Sequence, residues 1–246
     1  MQEQDAVPAG GCAVYKWIVS ESQAPSSGQS SRLWSYHSYV NMPSDISTGM
    51  EGPIIVYNSG QMNATMSSHR EFVVTMNTHY EQSSFLAATN AEMYGGMNLA
   101  SMDIQNTLIG RPPTGNESFW VPQLTNSPSV NLSQAQAPIF YTMNGYVLAN
   151  GAPYEMCRND PVLWYVMVSN RSYHVYAHEK LQLTHEQAFG QASHVFHMHG
   201  SNFQNLGQWL AAISVNAGEM FTLEMNAQLP GVWQLLCHVQ SHNFFG

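Results

Sequence analysis

A chain of 246 residues with 44% apolar side chains can bury one large core or two ordinary ones, so disorder is not the default expectation. Only 9% of residues are charged, and seven Lys plus Arg against sixteen Asp plus Glu leave a net charge of −9, which argues against a nucleic-acid partner. No run approaches the roughly 18 apolar residues that a membrane-spanning helix needs.

Residues 1–11 contain no apolar stretch of signal-peptide type, so the sequence is expected either to have lost a leader or to begin inside a longer protein. Short runs rich in β-branched and aromatic residues follow at 12–19, 33–40, 53–57, 71–76, 161–168, 219–225 and 232–237, punctuated by Gly, Pro, Asn and Ser. Sustained helical periodicity is absent, so the chain reads as an all-β sandwich or barrel. In the run 219–225, Phe221, Leu223 and Met225 share one face with Glu219 at its start, while Met220, Thr222 and Glu224 take the other, the pattern of a half-buried strand. The strand pattern weakens between about 80 and 137 into polar sequence broken by Pro and Gly, which is expected to be a long surface excursion or linker. Four N-x-[ST] sequons, at Asn63, Asn116, Asn131 and Asn170, offer solubilising glycans and suggest the secretory pathway.

The chemistry concentrates in two places. His194-Val-Phe-His197-Met-His199-Gly200 is followed, 38 residues after its last histidine, by Cys237-His238-Val-Gln-Ser-His242. Alternate residues of a strand point the same way, so His197 and His199 face one side and His194 turns to another, letting one cluster feed two sites. One thiolate and two imidazoles, from His194, Cys237 and His242, are the set that a blue, type 1 copper site requires. The run 232–236 then reads as the buried strand that holds the thiolate. Tetrahedral zinc uses the same donor types, but the single thiol and the lack of a CxxC pair argue against it. An ordinary buried cysteine among satisfied histidines is the remaining alternative.

These residues resemble the ceruloplasmin and hephaestin ferroxidases, multicopper oxidases related to the A domains of coagulation factors V and VIII. The resemblance covers most of the chain. Tyr36-His-Ser-Tyr-Val-Asn-Met-Pro-Ser-Asp45 with Gly49-Met-Glu-Gly-Pro-Ile55 is similar to the stretch that closes one cupredoxin domain in that family. Arg70-Glu-Phe-Val-Val74 resembles the first strand of the next domain, and Met143-Asn-Gly-Tyr146 its tight turn. Met156-Cys-Arg-Asn-Asp160 with Trp164-Tyr165, and Pro230-Gly-Val-Trp233 before the cysteine, complete the match.

The resemblance implies cupredoxin-like Greek-key domains: residues 1–60 as the C-terminal part of one and 61–246 as a second, nearly complete one. It implies copper as the cofactor, further cupredoxin domains of the same longer chain or of neighbouring subunits as partners, and ferrous iron as a reductant. An electron taken at the type 1 copper is then passed from Cys237 to His238. His197, His199 and His238 match last-domain ligands of the family's trinuclear copper cluster, but the family's His-Cys-His has become Leu236-Cys237-His238, removing one ligand. The resemblance places the family's axial methionine beyond Gly246, as it does the disulfide mate of Cys157, and leaves Cys12 unexplained. On the iron side, Ser241 replaces an acid and Tyr141 a histidine; Glu179 and Glu186 with His174, His178 and His185 are candidates for a replacement site. No catalytic residue beyond metal ligands is expected. The rival function is a non-catalytic extracellular structural or adhesive glycoprotein that retains the scaffold.

Overall fold

The computed structural model describes residues 7–80, 84–86, 89, 139–147, 149–168, 193–239 and 242. In chain order the strands are β1 (Ser31–His37), β2 (Glu51–Tyr57), β3 (Arg70–Tyr80), β4 (Ile139–Met143), β5 (Pro161–Met167) and β6 (His194–Met198). They continue as β7 (Phe203–Asn205), β8 (Gln208–Leu210), β9 (Ala212–Val215), β10 (Met220–Asn226) and β11 (Leu235–Cys237). Two short helices, α1 (Met42–Ser47) and α2 (Met62–Ser68), flank the β1–β2 hairpin's return strand.

A six-stranded sheet in the order β4-β3-β5-β10-β7-β8 faces a three-stranded sheet in the order β11-β6-β9. β3 and β5 run parallel, every other pair is antiparallel, and β10 returns between β5 and β7 in a Greek-key-type connection. The all-β sandwich expected from the punctuated runs is what the chain forms.

Strand β5 explains the layering. Val162 to Met167 are apolar at every position, with no alternation, and all six are buried, the signature of a strand covered on both faces. On one face Val162, Trp164 and Val166 meet Phe196 and Met198 of β6, Ile213 and Val215 of β9, Phe203 of β7 and Leu223 of β10. Trp164 lies 5.7 Å from Phe196, which lies 4.9 Å from Phe203. Each such fully buried side chain stabilises the fold by roughly 1.5–3 kcal/mol. On the other face Leu163, Tyr165 and Met167 pack against Leu33 of the β1–β2 hairpin. Polar contacts seal that second layer: Ser31 Oγ and the Tyr165 hydroxyl lie 2.7 Å apart, and the Tyr57 and Tyr165 hydroxyls donate to the Glu71 carboxylate. Burial, then the Glu71 bond, pushes the Tyr57 phenol up to about 12.

Two turns show why particular residues are required. Asn144 and Gly145 both have positive φ, 51° and 81°, as a two-residue type I′ turn demands. Asn144 also acts as a strand substitute: its Oδ1 accepts from the Thr75 N–H at 2.7 Å and its Nδ2 donates to the Val73 carbonyl at 2.8 Å. Gly200, at φ +73°, lies in the turn after β6, where a Cβ would meet the Trp233 ring at 2.9 Å.

Three expectations are corrected. Residues 12–19 form no strand; Val14, Trp17 and Ile18 are exposed, and a β-rich run without a neighbour to share its ladder does not become one. The thiolate's strand is shorter and shallower than a buried 232–236 run, since β11 covers only Leu235–Cys237 and Val232 is fully exposed. Strand β10 is covered on both faces at its centre rather than half-buried, because Thr222, on its supposed outer side, is buried and accepts the Leu33 N–H at 3.2 Å. Asn63 is exposed in α2, whereas Asn116, Asn131 and Asn170 lie outside the described residues. So do Glu179, Glu186, His174, His178, His185, Ser241 and most of the 80–137 excursion.

Candidate metal centre

The three-stranded sheet sorts the candidate ligands by parity. β6 is its middle strand, and its burial alternates: His194, Phe196 and Met198 are buried, Val195 and His197 less so. β11 pairs with it so that Leu235 faces Met198, Leu236 faces His197 and Cys237 faces Phe196. Directly opposed residues of an antiparallel pair share a face, so Cys237 lies inward with Phe196 and Leu236 outward with His197. His197 lies three positions after His194, an odd step, and simple alternation therefore divides them without a special turn.

Inside, His194, Cys237 and His242 converge. Cys237 Sγ lies 3.7 Å from His194 Nδ1 and 3.2 Å from His242 Nδ1, and the three donor atoms all fall within 4.8 Å of one another. His194 and His242 are 2% and 0% exposed. The Val195 N–H donates to Cys237 Sγ at 3.3 Å, favouring a negatively charged sulfur, although burial pushes the free thiol up. Burial, then the neighbouring His242, holds the His194 imidazole down to about 3, so it is neutral and ready to ligate at neutral pH. His194 Nε2 is buried with no hydrogen-bond partner, which leaves its Nδ1 as the nitrogen directed at the cluster. One soft sulfur and two imidazoles fit copper, and among the described residues the fourth protein ligand that a structural zinc site requires does not join them.

Outside, His197, His199 and His238 form a looser group. The His197 ring centroid lies 5.2 Å from each of the other two, in edge-to-face geometry. His197 Nδ1 is fixed 2.8 Å from the Ala211 carbonyl, and His199 and His238 are exposed. Their nitrogens do not converge as the inner donors do. Among the described residues, the inner triad is the group whose donor atoms gather to metal-binding distance.

One contact is not signalled by local sequence. Tyr141, from β4, stacks on His242 with ring centroids 3.8 Å apart and 18° between planes. The two residues lie far apart in the chain, Tyr141 in a strand and His242 beyond the end of β11, so no periodicity could have paired them; the only sequence signal was that Tyr141 stands where the resembled family has a histidine. Cys12 and Cys157 are exposed, and no disulfide joins them to each other or to Cys237.

A family model described as multicopper oxidase matches residues 134–246. The chain is 24% identical to mouse ferroxidase HEPHL1 over 98% of its own length, 25% identical to human hephaestin over 98%, and 24% identical to human ceruloplasmin over 97%. It spans only 17% of HEPHL1 and 18% of hephaestin and of ceruloplasmin, so these relatives are much longer chains. Among the described residues, no helix is long and apolar enough to cross a membrane. Residues 134–246 thus match the model of the multicopper oxidase family, within a chain similar along nearly its whole length to ferroxidase HEPHL1, hephaestin and ceruloplasmin.

Proposed function

We propose that the chain is a segment of a secreted ceruloplasmin-like multicopper oxidase in which His194, Cys237 and His242 hold a type 1 copper. The observation that carries this reading is the convergence of one thiol sulfur and one nitrogen from each of two imidazoles, all within 4.8 Å, in a buried pocket. When bound, copper would supply a one-electron couple, which Cys and His donors in a constrained geometry suit to electron transfer. The chain's own residues set the conditions. Val195 stabilises the sulfur from its backbone, and the apolar core under Phe196 excludes water.

Cys237 and His238 are neighbours in the chain, so one peptide unit joins the buried triad to the outer histidines. His197, His199 and His238 act in this proposal as half of a trinuclear site completed by another cupredoxin domain. Leu236 supports a weakened version of that site, since it pairs with His197 and places hydrocarbon where the family supplies an imidazole. Ferrous iron is the proposed reductant, by analogy with the ferroxidases the chain resembles. The remaining parts of the reading are the division into domains at 1–60 and 61–246, and glycans at Asn63, Asn116, Asn131 and Asn170.

The test is optical. Copper-loaded full-length protein is expected to show an intense thiolate-to-copper absorption at about 600 nm. A colourless protein that retains no copper after dialysis would sink the proposal.

A further inference from the structure

The two imidazoles of the buried cluster are held by different means. His194 sits in β6, whose backbone is paired on both sides, with His194 itself in register with Val215. His242 lies beyond the end of β11, its N–H donating to the Val239 carbonyl at 3.0 Å. A ladder therefore fixes the first ring, while the orientation of the second depends on what its ring touches. Among its contacts are Cys237 Sγ at 3.2 Å, the His194 ring at a centroid distance of 4.6 Å, and the Tyr141 ring lying flat against it at 3.8 Å. Tyr141 is itself anchored. It lies in β4, opposite Thr78 of β3, and is 8% exposed.

We infer that Tyr141 is a positioning residue: by stacking on His242 it fixes the plane of that imidazole so that Nδ1 faces Cys237 Sγ. The inference rests on reading His194, Cys237 and His242 as a copper site. The phenol acts through the imidazole, supplying a flat, electron-rich face. Such a face favours the imidazole most when metal coordination draws charge from it. The stack also covers one side of His242, consistent with that ring having no solvent exposure.

The test uses the full chain in three forms: native, Tyr141→Phe and Tyr141→Leu. Metal-free protein is examined first, by NMR of the histidine ring protons. Stacking is expected to move the His242 ring protons upfield in the native and Phe forms, and the shift is expected to vanish in the Leu form. Cupric ion is then titrated against a competing chelator. The Leu form is expected to lose about three- to tenfold in affinity, the range corresponding to one aromatic pair, and to show a displaced charge-transfer band. The Phe form is expected to stay within about twofold of native, because the ring rather than the hydroxyl makes the stack. Unshifted His242 protons in the native protein would overturn the inference. So would a folded Leu form that matches native in both affinity and band position. If the Leu form does not fold, the native ring shift and its retention in the Phe form decide the matter. A native protein that shows the ring shift yet takes up no cupric ion would overturn the copper reading while leaving the positioning of His242 intact.

Discussion

The two faces of the three-stranded sheet carry nearly the same inventory of histidines and differ in everything else. On the inner face, donor atoms converge within 4.8 Å and both imidazoles are buried. On the outer face, ring centroids stand 5.2 Å apart, and two of the three rings are exposed. The inner site is assembled by the core beneath it, whereas the outer one is only displayed. Ligand type is therefore a poor guide to whether a metal site is complete; burial and convergence separate the two cases.

The sharpest way to break the comparison is Cys237→Ser. It should abolish the charge-transfer band and most cupric-ion binding on the inner face while leaving the fold's circular dichroism intact, because a hydroxyl is a poor substitute for soft sulfur. A band of undiminished intensity would show that the colour arises elsewhere. Next in size is Phe196→Ala, which removes the side chain between Trp164 and Phe203. Chemical denaturation should register a loss of about 3–5 kcal/mol. The inner site should fail with it, since Phe196 is the cross-strand neighbour of Cys237.

A smaller effect, but of opposite sign, is expected from Leu236→His. It places a fourth imidazole opposite His197, so metal analysis should find more copper retained on the outer face, with the inner band unchanged. Unaltered stoichiometry in the full-length protein would argue that Leu236 is not what limits that face. Smallest of all is His199→Ala. As an exposed substitution away from the core it should cost no more than about 0.5 kcal/mol, and the absorption spectrum of the inner site should not move.

Much of this division was legible beforehand. The spacing of His194, His197 and His199, combined with the two-residue period of a strand, already assigned them to opposite sides. The runs that became β5 and β10 carried their own β-propensity and apolar patterning. What escaped was whatever depended on a distant partner. Residues 12–19 have the composition of a strand but no ladder to join. Thr222 looked outward until the β1–β2 hairpin covered it, and Tyr141 reaches His242 only because the fold brings them together. Strands β7, β8 and β9, of three or four residues each, are too short to show a period of any kind.

The pairing of β11 with β6 rests on three residues, Leu235, Leu236 and Cys237. In so short a ladder, the difference between the two faces is a matter of counting. Inserting or deleting one residue ahead of Leu235 would present Leu236 to the core and Cys237 to solvent, and would send His238 inward. Neither cluster could then be preserved by adjusting the other. Variation in the length of this segment should therefore come in steps that respect the strand's period, or be absorbed in the exposed turn around Val232, whose side chain makes no demand on the core.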